Sequence, residues 1–120
     1  MSKILIVDDS KTSRRILRGI LEGAGHVIVG EASNGEEGCM MYESLKPDVV
    51  TMDITMPKMD GLEALEVIRH KDPEAKVIMI TAAGQNNKVY AAVKEGAAEF
   101  ITKPFDDEKI LEAVKRVSEQ

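Results

Sequence analysis

Val49-Val50-Thr51-Met52-Asp53-Ile54-Thr55-Met56-Pro57-Lys58-Met59-Asp60-Gly61 is the stretch on which the reading of this chain turns. It opens with a short run of β-branched and apolar residues that shows no alternation, as expected of a strand buried on both faces of a parallel sheet. An acid follows at Asp53, and Asp60-Gly61 then marks a turn. A carboxylate is thereby set at the carboxyl end of a buried strand, where open α/β sheets bind their ligands.

Working outward, Ile4-Leu5-Ile6-Val7 and Val77-Ile78-Met79-Ile80 repeat the same kind of run. Val27-Ile28-Val29 and Phe100-Ile101 are weaker and suit sheet edges. Helical spacing fills the gaps. Ile16, Leu17, Ile20, Leu21 and Ala24 form one face behind an N-cap at Ser10 or Thr12. Met41 and Leu45 mark a second helix, from near Asn34 to before Pro47. Leu62, Leu65 and Ile68 mark a third, and Val89, Val93 and Ala97 a fourth. Ile110, Leu111, Val114 and Val117 mark a fifth, capped by Asp106 or Asp107. Five β-α alternations predict a single α/β domain over residues 1–120, with a doubly wound parallel sheet and helices on both faces.

Composition narrows the function. The 120 residues carry a net charge of -5, and aromatics are 3% with no Trp. Nucleic-acid binding needs clustered Lys and Arg or stacking aromatics, so no nucleic-acid partner is expected. Cys39 is the single cysteine, which excludes an internal disulfide and a paired-cysteine metal site; it reads as a packing residue. The apolar run before Asp8 is too short for a signal-peptide core or a membrane span. A cytoplasmic monomer with no membrane partner is the expectation.

The strand ends carry chemistry. The first run ends at Asp8-Asp9, the second at Asp53, the third at Thr81, and the weak last one at Thr102-Lys103-Pro104. A parallel sheet brings these ends to one edge. Two carboxylates ~4 Å apart repel by about 4 kcal/mol at an effective dielectric of 20. Such a cluster raises carboxyl pKa values or recruits a cation. Oxygen ligands without His or Cys suit a hard divalent ion, so Asp8, Asp9 and Asp53 read as a Mg²⁺ site. Lys103 offers a point charge to an anion and Thr81 a hydroxyl, completing the parts of phosphoryl transfer. Taken singly, Asp8-Asp9 would be a capped turn, Thr81 a polar strand end, Lys103 a solvated lysine and Phe100 a core aromatic; Met56 and Met59 are placed to line the mouth of the site.

These elements, in order and over the whole chain, resemble the receiver domain of two-component response regulators. Ile4 to Ser10, Asp53-x-x-Met56-Pro57-x-x-Asp60-Gly61, Thr81-Ala82 and Lys103-Pro104-Phe105 carry the likeness. Val50-Thr51-Met52-Asp53-Ile54-Thr55-Met56-Pro57 and Gly84-Gln85 are most similar to stand-alone chemotaxis receivers of the CheY type. The resemblance implies the strand order 2-1-3-4-5 that flavodoxin and CheY share. It implies Asp53 as the acceptor of a phosphoryl group from a histidine kinase, here CheA-like. It implies Mg²⁺ on Asp9, Asp53 and the backbone carbonyl of Thr55, with Asp8 acting through a bound water. Thr81 and Lys103 would bind the phosphoryl oxygens, and Phe100 would be the aromatic switch that turns inward as Thr81 moves. A cis Lys103-Pro104 bond is implied, and Thr55 and Ala83 occupy positions where relatives tune phosphate lifetime.

The implied function is a phosphorylation-driven switch and not an enzyme acting on a separate substrate, though it catalyses its own phosphorylation and slow dephosphorylation. The output would pass through the fourth helix, fifth strand and fifth helix, with Tyr90, Lys94, Lys109 and Glu112, to a flagellar motor switch protein or other output protein, with a phosphatase as a further partner. A phosphorelay carrier is the alternative within the family. The rival outside it is a Mg²⁺-dependent phosphohydrolase. Such enzymes carry a second acid two residues after the nucleophile, and here Thr55 stands there.

Overall fold

In the computed structural model, which describes residues 1–82, 84 and 86–120 (Asn86 by its backbone alone), strands and helices alternate along the chain. The order is β1 (Lys3–Val7), α1 (Lys11–Gly23), β2 (Val27–Ala32), α2 (Gly35–Leu45), β3 (Val49–Asp53), α3 (Gly61–Lys71), β4 (Val77–Ala82), α4 (Asn86–Lys94), β5 (Glu99–Lys103) and α5 (Asp107–Ser118). All pairings are parallel and the sheet order is β2-β1-β3-β4-β5, so the two weak runs are indeed the edges. Ala83 and Gln85 lie outside the described residues. Among the described residues, no helix is long and apolar enough to cross a membrane.

Alternation along the strands divides the core. Leu5, Val7, Val50, Met52, Val77 and Met79 face Leu65, Ile68 and Ala92 from α3 and α4. Ile4, Ile6, Val49, Ile78, Ile80 and Ile101 face Leu17 and Leu21 of α1 and Ile110, Val114 and Val117 of α5. Because the side-chain period of a strand is two, these residues fix which way each strand end points.

Local chemistry starts each helix where the site needs it. Ser10, not Thr12, caps α1 by accepting from the Ser13 amide at 3.2 Å. Asn34 caps α2, and Asp60 caps α3 in a reciprocal box with Glu63. Asp106 caps α5. Four core expectations fail. Ile16 is 53% exposed, Leu45 40% and Val93 56%, and Ala24 is exposed as well, because α1, α2 and α4 bury narrower stripes than their apolar spacing suggests. On α1 the remaining half-buried positions near the sheet include Arg14 and Arg18, whose guanidinium groups meet Glu31 of β2.

Candidate functional site: an acidic cluster at the carboxyl edge of the sheet

Asp8 follows the last residue of β1, Asp53 ends β3 and Lys103 ends β5. Each stands two residues beyond a side chain of the α1/α5 layer (Ile6, Thr51 after Val49, and Ile101), so all three project from that side of the sheet. Carboxylate oxygens of Asp8, Asp9 and Asp53 lie within 4.8 Å of one another. Asp8 and Asp53 are buried and Asp9 is exposed. The Lys103 ammonium sits 3.6 Å from Asp8 Oδ2 and 3.6 Å from Asp53 Oδ1, in ion-pair range of both but beyond hydrogen-bond length.

This arrangement is under-compensated. Asp8 Oδ1 accepts from the Ser10 amide at 2.8 Å, while buried Asp8 Oδ2 has no hydrogen bond among the described residues. The Asp53 carboxyl is pushed up from 3.8 to about 6, first by burial and then by the charge of Asp8, with Asp9 adding to it. Lys103 and the Ile54 amide oppose the rise without cancelling it. One ammonium facing three acids leaves a deficit of positive charge. An orphaned buried carboxylate oxygen inside an all-oxygen donor set fits a hard metal ion.

Thr81 is buried at the end of β4, its hydroxyl 3.3 Å from the Ala82 carbonyl. It pairs in register with Thr102, and Met79 pairs with Phe100, so Thr81 and Phe100 lie on neighbouring strands. Phe100 is half-buried against the α3/α4 layer of the core. The carboxylates and Lys103 therefore stand on one side of the sheet, and Thr81 with Phe100 continues the other. Thr55 is exposed, two residues past Asp53. The Lys103–Pro104 bond is cis. Met56 does not line a mouth: it is buried in the core, while Met59 is half-buried with its sulfur 3.9 Å from Cys39 Sγ. Cys39 is half-buried and packed on that same core, and burial pushes its thiol pKa up, as suits a packing residue.

Two glycines brace the loop after Asp53. The Gly61 amide donates to the Ile54 carbonyl at 2.7 Å, and a Cβ on Gly61 would stand 2.0 Å from the Asp53 carbonyl oxygen. The Gly35 amide donates to the Met59 carbonyl at 2.9 Å, and a Cβ there would stand 2.5 Å from the same oxygen. Gly61 is legible in the sequence as a turn residue, whereas Gly35 carries no signal there. Neither contact is local, so no spacing rule reveals it.

The chain matches the model of the response regulator receiver domain over residues 4–115. It belongs to that family. It is 49% identical to the chemotaxis protein CheY of Listeria monocytogenes, over 98% of this chain and 99% of that one. It is 51% identical to the Bacillus subtilis protein CcdB, over 98% of each chain. Among solved structures it resembles the CheX-CheY-BeF3-Mg²⁺ complex of Borrelia burgdorferi, with a TM-score of 0.92 and 42% identity over 96% of this chain and 87% of that one. This is a receiver of the CheY type, a phosphorylation-activated signalling protein of two-component systems, and its fold is the flavodoxin/CheY-like one.

Proposed function

We propose that Asp53 accepts a phosphoryl group from a CheA-like histidine kinase and that the resulting aspartyl phosphate switches the protein between two conformations. The observation that carries this reading is the convergence of Asp8, Asp9 and Asp53 within 4.8 Å, with the Lys103 ammonium 3.6 Å from two of them. An Asp53 oxygen forms the new P–O bond as the P–N bond of the donor phosphohistidine breaks and its imidazole leaves. Asp9, Asp53 and the Thr55 carbonyl would hold Mg²⁺, with Asp8 reaching it through a water. The ion supplies charge neutralisation for the phosphoryl oxygens. Lys103 meets the same developing charge from the other side, and Thr81 donates its hydroxyl to a phosphoryl oxygen once the group is on Asp53. Phe100, beside β4, follows Thr81 inward.

The chain as a whole, residues 1–120, is read as one receiver domain that works as a monomer in the cytoplasm. Its output surface is the α4-β5-α5 face, where Tyr90, Lys94, Lys109 and Glu112 are all exposed. The CheY relatives support a flagellar motor switch protein as the receiver of the signal. The CheX-CheY complex supports a further protein partner, which we assign as the phosphatase that ends it.

Incubation with acetyl phosphate and Mg²⁺, followed by mass spectrometry, tests the central claim. An acid-stable, base-labile adduct is expected in the wild type and absent in Asp53→Asn. Equal labelling of the variant, or none of the wild type, overturns it.

A further inference from the structure

A half-buried cation beside the acidic cluster takes no part in the roles above. Arg14 of α1 is 16% exposed at its side chain. Its Nη1 donates to the Asp8 carbonyl at 2.6 Å, and its Nε donates to Glu31 Oε1 at 3.2 Å. The other oxygen of Glu31 accepts from Arg18 at 2.6 Å. The Asp8 amide donates to the Ala32 carbonyl at 3.0 Å. Both polar ends of residue 8 are therefore tied to β2, the amide directly and the carbonyl through Arg14 and Glu31.

The Asp8 carbonyl belongs to the peptide that leads into Asp9. Fixing it fixes the direction in which Asp9 leaves the sheet, and with it the separation of the two carboxylates. Glu31 matters in a second way. By pairing with the guanidinium it balances a charge that would otherwise compete for the acidic cluster. Arg14 thus has the geometry of an orienting group and not of a counter-ion: it reaches the backbone of Asp8, while Lys103 reaches the carboxylates.

We infer that Arg14, held by Glu31, is a positioning residue for the cation site of Asp8 and Asp9, acting through the Asp8 carbonyl. The inference rests on the reading of the cluster as a Mg²⁺ site, and the two are separable. Mg²⁺ demands near-ideal octahedral geometry at about 2.0–2.1 Å, whereas Ca²⁺ accepts about 2.3–2.6 Å and irregular coordination. A residue that aims carboxylates matters more to the exacting ion.

The experiment is calorimetric titration of Mg²⁺ and of Ca²⁺ into the wild type and Arg14→Met, which keeps an unbranched apolar stem and loses both charge and donors. Mg²⁺ affinity is expected to fall about tenfold, the lower end of what loss of a ligand-orienting partner does, and Ca²⁺ affinity to fall less. Charge alone predicts the opposite sign, since removing a cation near three acids tightens both ions. General loosening weakens both alike. Unchanged or tighter Mg²⁺ binding, or an equal loss for the two ions, overturns the inference. If circular dichroism shows Arg14→Met unfolded, Arg14→Lys is read the same way: it keeps the charge and loses the planar fork that spans the carbonyl and Glu31, and a wild-type ratio of Mg²⁺ to Ca²⁺ affinity overturns the inference. A wild type that binds no Mg²⁺ overturns the cation site itself, whereas a binding wild type with an indifferent Arg14 variant overturns only the clamp.

Discussion

Replacing Asp53 by Asn should make the metal-free protein more stable, by an amount that depends on pH. The folded-state value of about 6 lies above the ordinary 3.8 because the carboxyl is buried beside Asp8. A difference of about 2 in pKa, at about 1.36 kcal/mol for each, makes ionised Asp53 a destabilising group by about 3 kcal/mol. A raised folded value has one sign: the penalty is absent below the unfolded value, appears as pH rises towards 6 and is fully present above it. The amide that replaces the carboxyl never ionises. The variant should therefore match the wild type near pH 4 and exceed it by about 3 kcal/mol near pH 7. Urea unfolding in chelator at several pH values measures this, since the contributions of carboxyls remote from Asp53 cancel in the difference. Mg²⁺ should erode the gap, because an ion bound to the folded wild type at 100 times its Kd returns about 2.7 kcal/mol. A difference that stays flat from pH 4 to 7 would refute the claim that burial and Asp8 strain this carboxylate.

Gly61→Ala should destabilise by about 2 kcal/mol or more and slow phosphoryl labelling, because its Cβ would meet the Asp53 carbonyl at 2.0 Å; a neutral melt and normal labelling would contradict the close approach. Thr51→Val should stabilise by about 1 kcal/mol in denaturant, since the buried Thr51 hydroxyl has no hydrogen bond among the described residues and Val has the same shape; destabilisation would reveal a partner for that hydroxyl. Lys103→Met should tighten Mg²⁺ binding several-fold at low salt while lowering labelling by acetyl phosphate, because the ammonium lies 3.6 Å from Asp8 and from Asp53; weaker Mg²⁺ binding would show that Lys103 does not compete with the ion.

The parts of this molecule that follow from short-range pattern are legible in its sequence. Three nearly continuous apolar runs mark the central strands β1, β3 and β4, and the two weaker runs mark the edges, because burial on both faces selects apolar side chains, with Thr51 the exception in β3. The acids at the strand ends were readable for the same reason, since a charged residue ending such a run has nowhere to be but the rim. Periodicity misjudges Ile16, Ala24, Leu45 and Val93, whose apolar character the sheet does not use. It also stopped β2 at Val29, whereas the strand runs on to Ala32 through Gly30 and Glu31, polar or small residues that an edge tolerates. What stayed invisible was contact between segments distant in sequence. Arg14 reads as one of several basic residues on a helix until Glu31 is seen beside it. Gly35 carries no signal in the sequence, and its role is visible only in the Met59 carbonyl packed against it.

The division of the core into two layers has a bearing on how this chain can change over evolutionary time. Asp8, Asp53 and Lys103 share a side of the sheet only because each is an even number of steps beyond Ile6, Val49 and Ile101. A strand reverses facing with each residue. A one-residue insertion within β3 would leave every amino acid of the site present and send the Asp53 side chain towards the α3/α4 layer, with Thr81 and Phe100 in place of Asp8 and Lys103. A two-residue insertion would keep the side but carry the carboxylate about 6–7 Å further along. The strands thus act as counters of parity and distance, and length changes should be tolerated in the loops on the opposite rim, such as residues 46–48 and 73–76, long before they are tolerated in a strand.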